Sequence, residues 1–87
     1  MWEAGIARAF GDTMAETRLD VKGLLCPLPV LKARKALQPL ASGDELLLEA
    51  TDPASVIDVP HFCREAGHAL VDSGEADGVY RFRIRKG

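Results

Sequence analysis

One cysteine in this chain stands in a setting suited to chemistry: Cys26-Pro27-Leu28-Pro29, where a strand pattern gives way to a helix pattern. The helical periodicity begins directly after Cys26, which predicts Cys26 as the N-cap and Pro27 as the first helical residue. Proline suits that position, because its missing N–H would be unpaired there in any case. A neutral thiol does not suit the cap, since Ser, Thr, Asp and Asn offer a side-chain oxygen that accepts far better. An anionic sulfur does suit it. The partial positive charge at a helix N-terminus stabilises a thiolate and lowers the thiol pKa. Cys26 therefore reads as the catalytic residue, with Pro27 and Pro29 stiffening its surroundings; the alternative is a small apolar residue filling a gap. Position 29 is proline and not a second cysteine, which excludes a thioredoxin-like dithiol. A sulfur without a local resolving partner suits holding a covalent group until another protein removes it.

The other candidates are weaker. Cys63 falls in the apolar stripe of a second helix and reads as core; a Cys26–Cys63 disulfide needs a Cα separation that sequence does not give. His61 and Cys63 are two apart, so a helix points them to different sides, and no ligand pair has zinc spacing. No metal and no cofactor are expected. His68 reads as a solvent-facing residue past a glycine stop. Leu28, Leu31, Lys32 and Lys35 lie on the outer face of the first helix beside Cys26 and form a candidate docking patch, against the plainer reading of an ordinary solvated face. Arg81, Arg83 and Arg85 form a basic row, with Lys86 beyond, that reads as an exposed face or a charge-blunted edge. Tyr80 and Phe82 point away from it, so direct nucleic-acid binding is not expected.

Several elements must position these residues. Thr17 to Lys22 alternates, with Leu19 and Val21 on one face, and predicts a strand ended by Gly23. A helix is predicted from Pro27 to Leu40, with Pro29, Val30, Ala33, Ala36, Leu37 and Leu40 on its core face and Leu25 stapled onto Val30. Pro39 should distort its last turn. Glu45 to Ala50 reads as a buried central strand. Asp52-Pro53 opens a second helix with Val56, Val59, Phe62, Cys63 and Ala66 inward, kinked or split by Pro60 and stopped by Gly67. His68 to Gly74 and Val79 to Lys86 are two strands joined by the turn Ala76-Asp77-Gly78, with Tyr80, Phe82 and Ile84 on one face of the second. The order βαβαββ predicts an α/β (α+β) two-layer sandwich, with a mixed four-stranded sheet and two helices on one face.

Eighty-seven residues allow one domain with a modest core. Its net charge of −2 argues against a general nucleic-acid binder, and two cysteines are too few for a disulfide framework, so a reducing cytoplasm is the expected compartment. No apolar run is long enough to span a membrane. Residues 1–16 read as a flexible arm ahead of a domain at 17–87. Trp2, Ile6 and Phe10 permit a short helix there, weakened by Gly5 and Gly11, and Met14 is an alternative start.

The run Leu19-Asp20-Val21-Lys22-Gly23-Leu24-Leu25-Cys26-Pro27-Leu28-Pro29 resembles the start of the TusA, or SirA-like, family of sulfur carriers. The resemblance continues through Gly43-Asp44-Glu45, Thr51-Asp52-Pro53-Ala54, Asp58-Val59-Pro60-His61-Phe62-Cys63, Gly67-His68, Asp77-Gly78 and Ile84-Arg85-Lys86-Gly87. It implies a persulfide relay in the cytoplasm. Cys26 would accept sulfane sulfur from a cysteine desulfurase or a rhodanese-type donor and pass it to an acceptor protein, for tRNA thiolation, molybdenum-cofactor maturation or sulfur oxidation. The persulfide would sit at the helix end, where Leu28 alone among the first three helical residues has an amide to offer. A monomer is the simplest assembly. The competing readings are a non-catalytic regulatory or protein-interaction module and, less favoured, a thiol redox sensor.

Overall fold

The computed structural model describes residues 16–87; the expected arm helix and the alternative start at Met14 lie outside the described residues. Strand β1 (Glu16–Asp20) leads to helix α1 (Leu28–Leu37), β2 (Glu45–Ala50), α2 (Ser55–Ala66), β3 (Ala69–Ala76) and β4 (Val79–Arg85). Glu16, expected in the arm, is the first residue of β1. The four strands form one sheet in the order β1-β2-β4-β3. Strands β1 and β2 are parallel, with Leu19 opposite Leu48; β4 runs antiparallel to both of its neighbours.

The period-two pattern sets the two faces of the sheet. Leu46, Leu48 and Ala50 of β2 and Phe82 and Ile84 of β4 face inward and are buried, in register as Leu46–Ile84 and Leu48–Phe82. Ala33 and Leu37 of α1 and Val59, Phe62 and Cys63 of α2 close over them, with Val21 completing the core. This is the expected α+β two-layer sandwich with both helices on one face.

Each helix departs from expectation at its ends. α1 starts one residue late, with Pro27 as its N-cap, and ends at Leu37 with Gln38 as its C-cap, ahead of Pro39, which has no N–H to continue the ladder. Leu25 is exposed and staples nothing; Leu24 is the residue that packs on the core. α2 runs unbroken through Pro60, held by its buried Ser55, Val59, Phe62 and Cys63, while Val56 and Ala66 face outward. Amphipathic burial, which supplies most of a helix's stability in a protein, outweighs the one backbone hydrogen bond a proline removes. Gly67 stops α2 in the left-handed region at φ 82°, and Asp77-Gly78, both at positive φ, make the tight hairpin turn. A register shift between Leu70 and Asp72 lets β3 reach Ala76.

Strand β4 is internal, so its arginines do not blunt an edge. On the uncovered face Arg83 pairs with Glu16 and Glu45 at 2.8 Å, Arg85 with Glu45 at 3.1 Å and Arg81 with Glu49 at 4.0 Å. The hydrogen bond from Arg83, reinforced by Arg85, holds the Glu45 carboxyl below its usual range although burial opposes this. The basic row is therefore matched by carboxylates, and its neighbouring aromatics face the core.

Beyond β4, Lys86 closes the fold. Its backbone pairs with Gly43 and Asp44, and its Nζ donates to the carbonyls of Leu37 at 2.6 Å, Leu40 at 3.1 Å and Gln38 at 3.4 Å. A cation on the last carbonyls of a helix C-terminus is favourable both by hydrogen bonding and by the helix dipole. Replacing Lys86 by Met, which keeps the aliphatic stem, is expected to lower stability by about 1–2 kcal/mol, read as a lower urea midpoint with an unchanged slope.

Candidate functional site

Because β1 and β2 are parallel neighbours, the loops that leave their C-terminal ends emerge side by side. Backbone and side-chain bonds stitch the two loops together. Val21 N–H donates to the Glu49 carbonyl at 2.9 Å, Gly23 N–H to Thr51 Oγ1 at 2.9 Å, and Cys26 N–H to Asp52 Oδ2 at 2.7 Å. Gly23 turns the chain at φ 84°, a conformation costly for other residues. Asp52 also accepts from Ala54 N–H through Oδ1 and from Ser55 N–H through its carbonyl, so one residue anchors the cysteine loop and shapes the entry to α2.

Cys26 is exposed at the head of α1, and its peptide bond to Pro27 is cis. It is not the helix cap. Leu28, the first helical residue, donates its N–H to the Leu25 carbonyl at 2.9 Å, so that amide is committed to the turn and does not face the sulfur. The group that faces the sulfur is acidic. Cys26 Sγ donates to Asp58 Oδ2 at 2.7 Å, from the first turn of α2.

The thiol pKa is accordingly raised, against the expectation that the helix end would lower it. The hydrogen bond to Asp58 is the largest cause, followed by partial desolvation and by the charges of Asp58 and Asp52. The magnitudes explain the reversal. A helix N-terminus is equivalent to about half a positive charge, and here it begins two residues beyond the sulfur. Asp58 sets a full negative charge at hydrogen-bond distance, which favours the protonated thiol.

The expected docking residues lie where predicted: Leu28, Leu31, Lys32 and Lys35 are all exposed on α1. Other apolar residues that the sequence reading did not include are also exposed on the segments that carry Cys26 and Asp58. Leu25 is 68% exposed just before Cys26, and Ile57, 74% exposed, immediately precedes Asp58, with Val56 beside it. Asp58 itself went unassigned in the sequence. Its signal was topological: a strand–helix–strand unit with parallel strands brings the segment after β2 against the segment after β1, the usual location of sites in open α/β sheets.

Cys63 is buried in the core with its thiol pKa raised by desolvation, and both cysteines are free. His68 is half-buried and not solvent-facing; Nδ1 accepts from Gly87 N–H at 3.0 Å, its ring lies 5.7 Å from that of Phe62, and burial lowers its pKa. Among the described residues no group of three or more His, Cys, Asp or Glu is arranged to hold a metal ion. A shallow concavity of about 490 Å³ on the uncovered sheet face is lined by Arg18, Leu47, Glu49, Arg81 and Arg83, away from Cys26. Of its charged lining, Arg81 pairs with Glu49, and Arg83 with Glu16 and Glu45. No helix among the described residues is long and apolar enough to cross a membrane.

Comparison with known proteins agrees with this geometry. The family model described as "Sulfurtransferase TusA" matches residues 17–86. Two proteins of Neisseria meningitidis, from serogroups A and B, each described as a candidate sulfur carrier protein, are 49% identical over 72 residues, covering 83% of this chain and 97% of theirs. The crystal structure of a SirA-like protein from Desulfitobacterium hafniense superposes with a TM-score of 0.73 at 27% identity, covering 82% of this chain and 97% of that one. The match over nearly all of the described fold, together with the Cys-Pro-Leu-Pro turn at its exposed end, means that the chain belongs to the TusA family.

Proposed function

We propose that the protein is a sulfur carrier, a sulfurtransferase in the sense of a relay, that holds sulfane sulfur as a persulfide on Cys26. The observation that carries this reading is the contrast between its two sulfurs. Cys26 is exposed and hydrogen-bonded to a carboxylate at the mouth of two stitched loops, whereas Cys63 is buried. The names of the Neisseria relatives support the same role. Loading is a thiol exchange: Cys26 Sγ attacks the terminal sulfur of a donor persulfide, a new S–S bond forms, and the donor's inner sulfur leaves with the electron pair of the broken S–S bond. The donor is a cysteine desulfurase or a rhodanese-type protein. The acceptor is a protein of a thiolation, molybdenum-cofactor or sulfur-oxidation route. Pro27 and Pro29 fix the turn that presents the sulfur. Leu25, Leu28, Leu31 and Ile57 supply apolar contact for either partner, and Lys32 and Lys35 steer an acidic surface toward it.

Incubation with a cysteine desulfurase and cysteine is expected to add about 32 Da to the Cys26 peptide, a gain removed by dithiothreitol, as for a persulfide. Cys26→Ser should take up none while changing stability by less than about 0.5 kcal/mol, since Cys26 makes no cap and serine still donates to Asp58. Binding that persists undiminished in a wild-type protein that never loads would instead establish an interaction module.

Reversing the charges of Lys32 and Lys35 to Glu is expected to slow loading by a protein donor about tenfold at low salt, with little change in loading by inorganic polysulfide and none in the melting temperature. Equal loading by the protein donor would remove these lysines from the docking surface.

A further inference from the structure

The closest polar partner of the reactive sulfur is a group that sulfur transfer itself does not name. Asp58 Oδ2 lies 2.7 Å from Cys26 Sγ, within the range over which a general base takes a proton directly. Asp52 has a different task, since its two oxygens accept the backbone N–H groups of Cys26 and Ala54. The carboxylate of Asp58 forms no salt bridge among the described residues, and its hydrogen bond there is to the thiol. Its backbone is fixed in the first turn of α2, where its N–H donates to the Ala54 carbonyl at 2.9 Å. The side chain is thus aimed at the sulfur and held there.

We propose that Asp58 is a catalytic residue of the carrier: its carboxylate takes the Cys26 proton as Sγ attacks the outer sulfur of a persulfide or polysulfide. This rests on the sulfur-carrier reading. As the Sγ–S bond forms, the S–S bond of the donor breaks and its electron pair leaves on the donor's remaining sulfur. The proton held by Asp58 then passes to that departing thiolate or to water. No electrons are gained or lost overall, and sulfane sulfur moves from one thiol to another.

A base is needed because the surroundings disfavour the free thiolate. The charged groups facing Sγ are Asp58 from α2 and Asp52 from the β2–α2 loop. Among the described residues no lysine or arginine offsets them, and Lys22, on the β1–α1 loop, is engaged by Asp20 and Glu49. At neutral pH the thiol therefore stays protonated, and a nucleophile of high proton affinity is also the stronger one once its proton is removed. Asp58 plays both parts, holding the proton at rest and receiving it during attack. A purely electrostatic neighbour would play only the first.

The two roles predict opposite signs in one variant. Asp58→Asn keeps the size and a hydrogen-bond acceptor but cannot take the proton. Ultraviolet titration of the thiolate, with Cys26→Ser as the blank for Cys63, is expected to show the Cys26 pKa falling in Asp58→Asn. Loading by inorganic polysulfide at pH 7 is nevertheless expected to slow about tenfold or more, and to recover only as the pH rises through the thiol's own range. Asp58→Glu, which restores a carboxylate, should recover most of the rate. Asp58→Ser serves in place of the Asn variant should thermal melting show that variant unfolded.

An Asn or Ser variant that loads as fast as wild type or faster would overturn the role of Asp58 and leave it an electrostatic neighbour. A Glu variant as slow as Asn would overturn it as well. Wild-type protein that takes up no sulfur from polysulfide or from a desulfurase would overturn the carrier reading, and this role with it.

Discussion

The parallel pairing of β1 with β2 is the constraint on which the site depends. Parallel strands cannot be joined by a tight turn, so the chain must cross over, and α1 is that crossover. Both strands then point their C-terminal ends the same way. The loop carrying Cys26 and the loop carrying Asp52 meet there and are locked by backbone donors to Thr51 Oγ1 and Asp52 Oδ2. A slip of one residue in the β1–β2 register would reverse the sides of Leu19 and pull these bonds apart together. The same hydrophobic alternation that buries the core thus sets the sulfur's surroundings.

Those surroundings resolve a contest between two electrostatic influences. A sulfur near a helix start invites a thiolate, and a sulfur against a carboxylate remains a thiol. Here the carboxylate wins because it is closer, carries a full charge, and meets a helix whose first amide is already bonded to Leu25. For a relay this has a use. A protonated thiol resists stray oxidants and alkylating agents, since the thiolate is the reactive form. A sulfur carried for a partner is best left quiet until the partner's own sulfur is in place.

The two faces of the sheet divide the remaining tasks. The inner face builds the core with both helices. The outer face is left to charges, and they are organised across strands: Glu45 on β2 serves two arginines of β4, and Arg83 reaches Glu16 on β1 as well. Half-exposed pairs of this kind contribute little stability each, but they favour this strand order over one that sets like charges side by side. Lys86, beyond the last strand, fastens the carbonyl end of α1, so the helix that begins at the sulfur is tied at its other end to the chain's final residues.

The sequence alone determined the element order, the inward faces of β2 and β4, the turn at Asp77-Gly78, the stop at Gly67 and the burial of Cys63. These arise from periodicity and from local backbone preferences, which act over a few residues. It misjudged the helix ends, because caps depend on where neighbouring carbonyls lie, and it assigned Val56, in the first turn of α2, to the core although it is exposed. It also reversed the sign of the thiol's pKa shift. Cys26 and Asp58 are separated along the chain by all of α1 and β2, and only folding brings them to 2.7 Å. The cysteine's place between a strand and a helix was written locally; which charge governs its thiol was decided by the crossover, because electrostatics depends on distance in space and not along the chain.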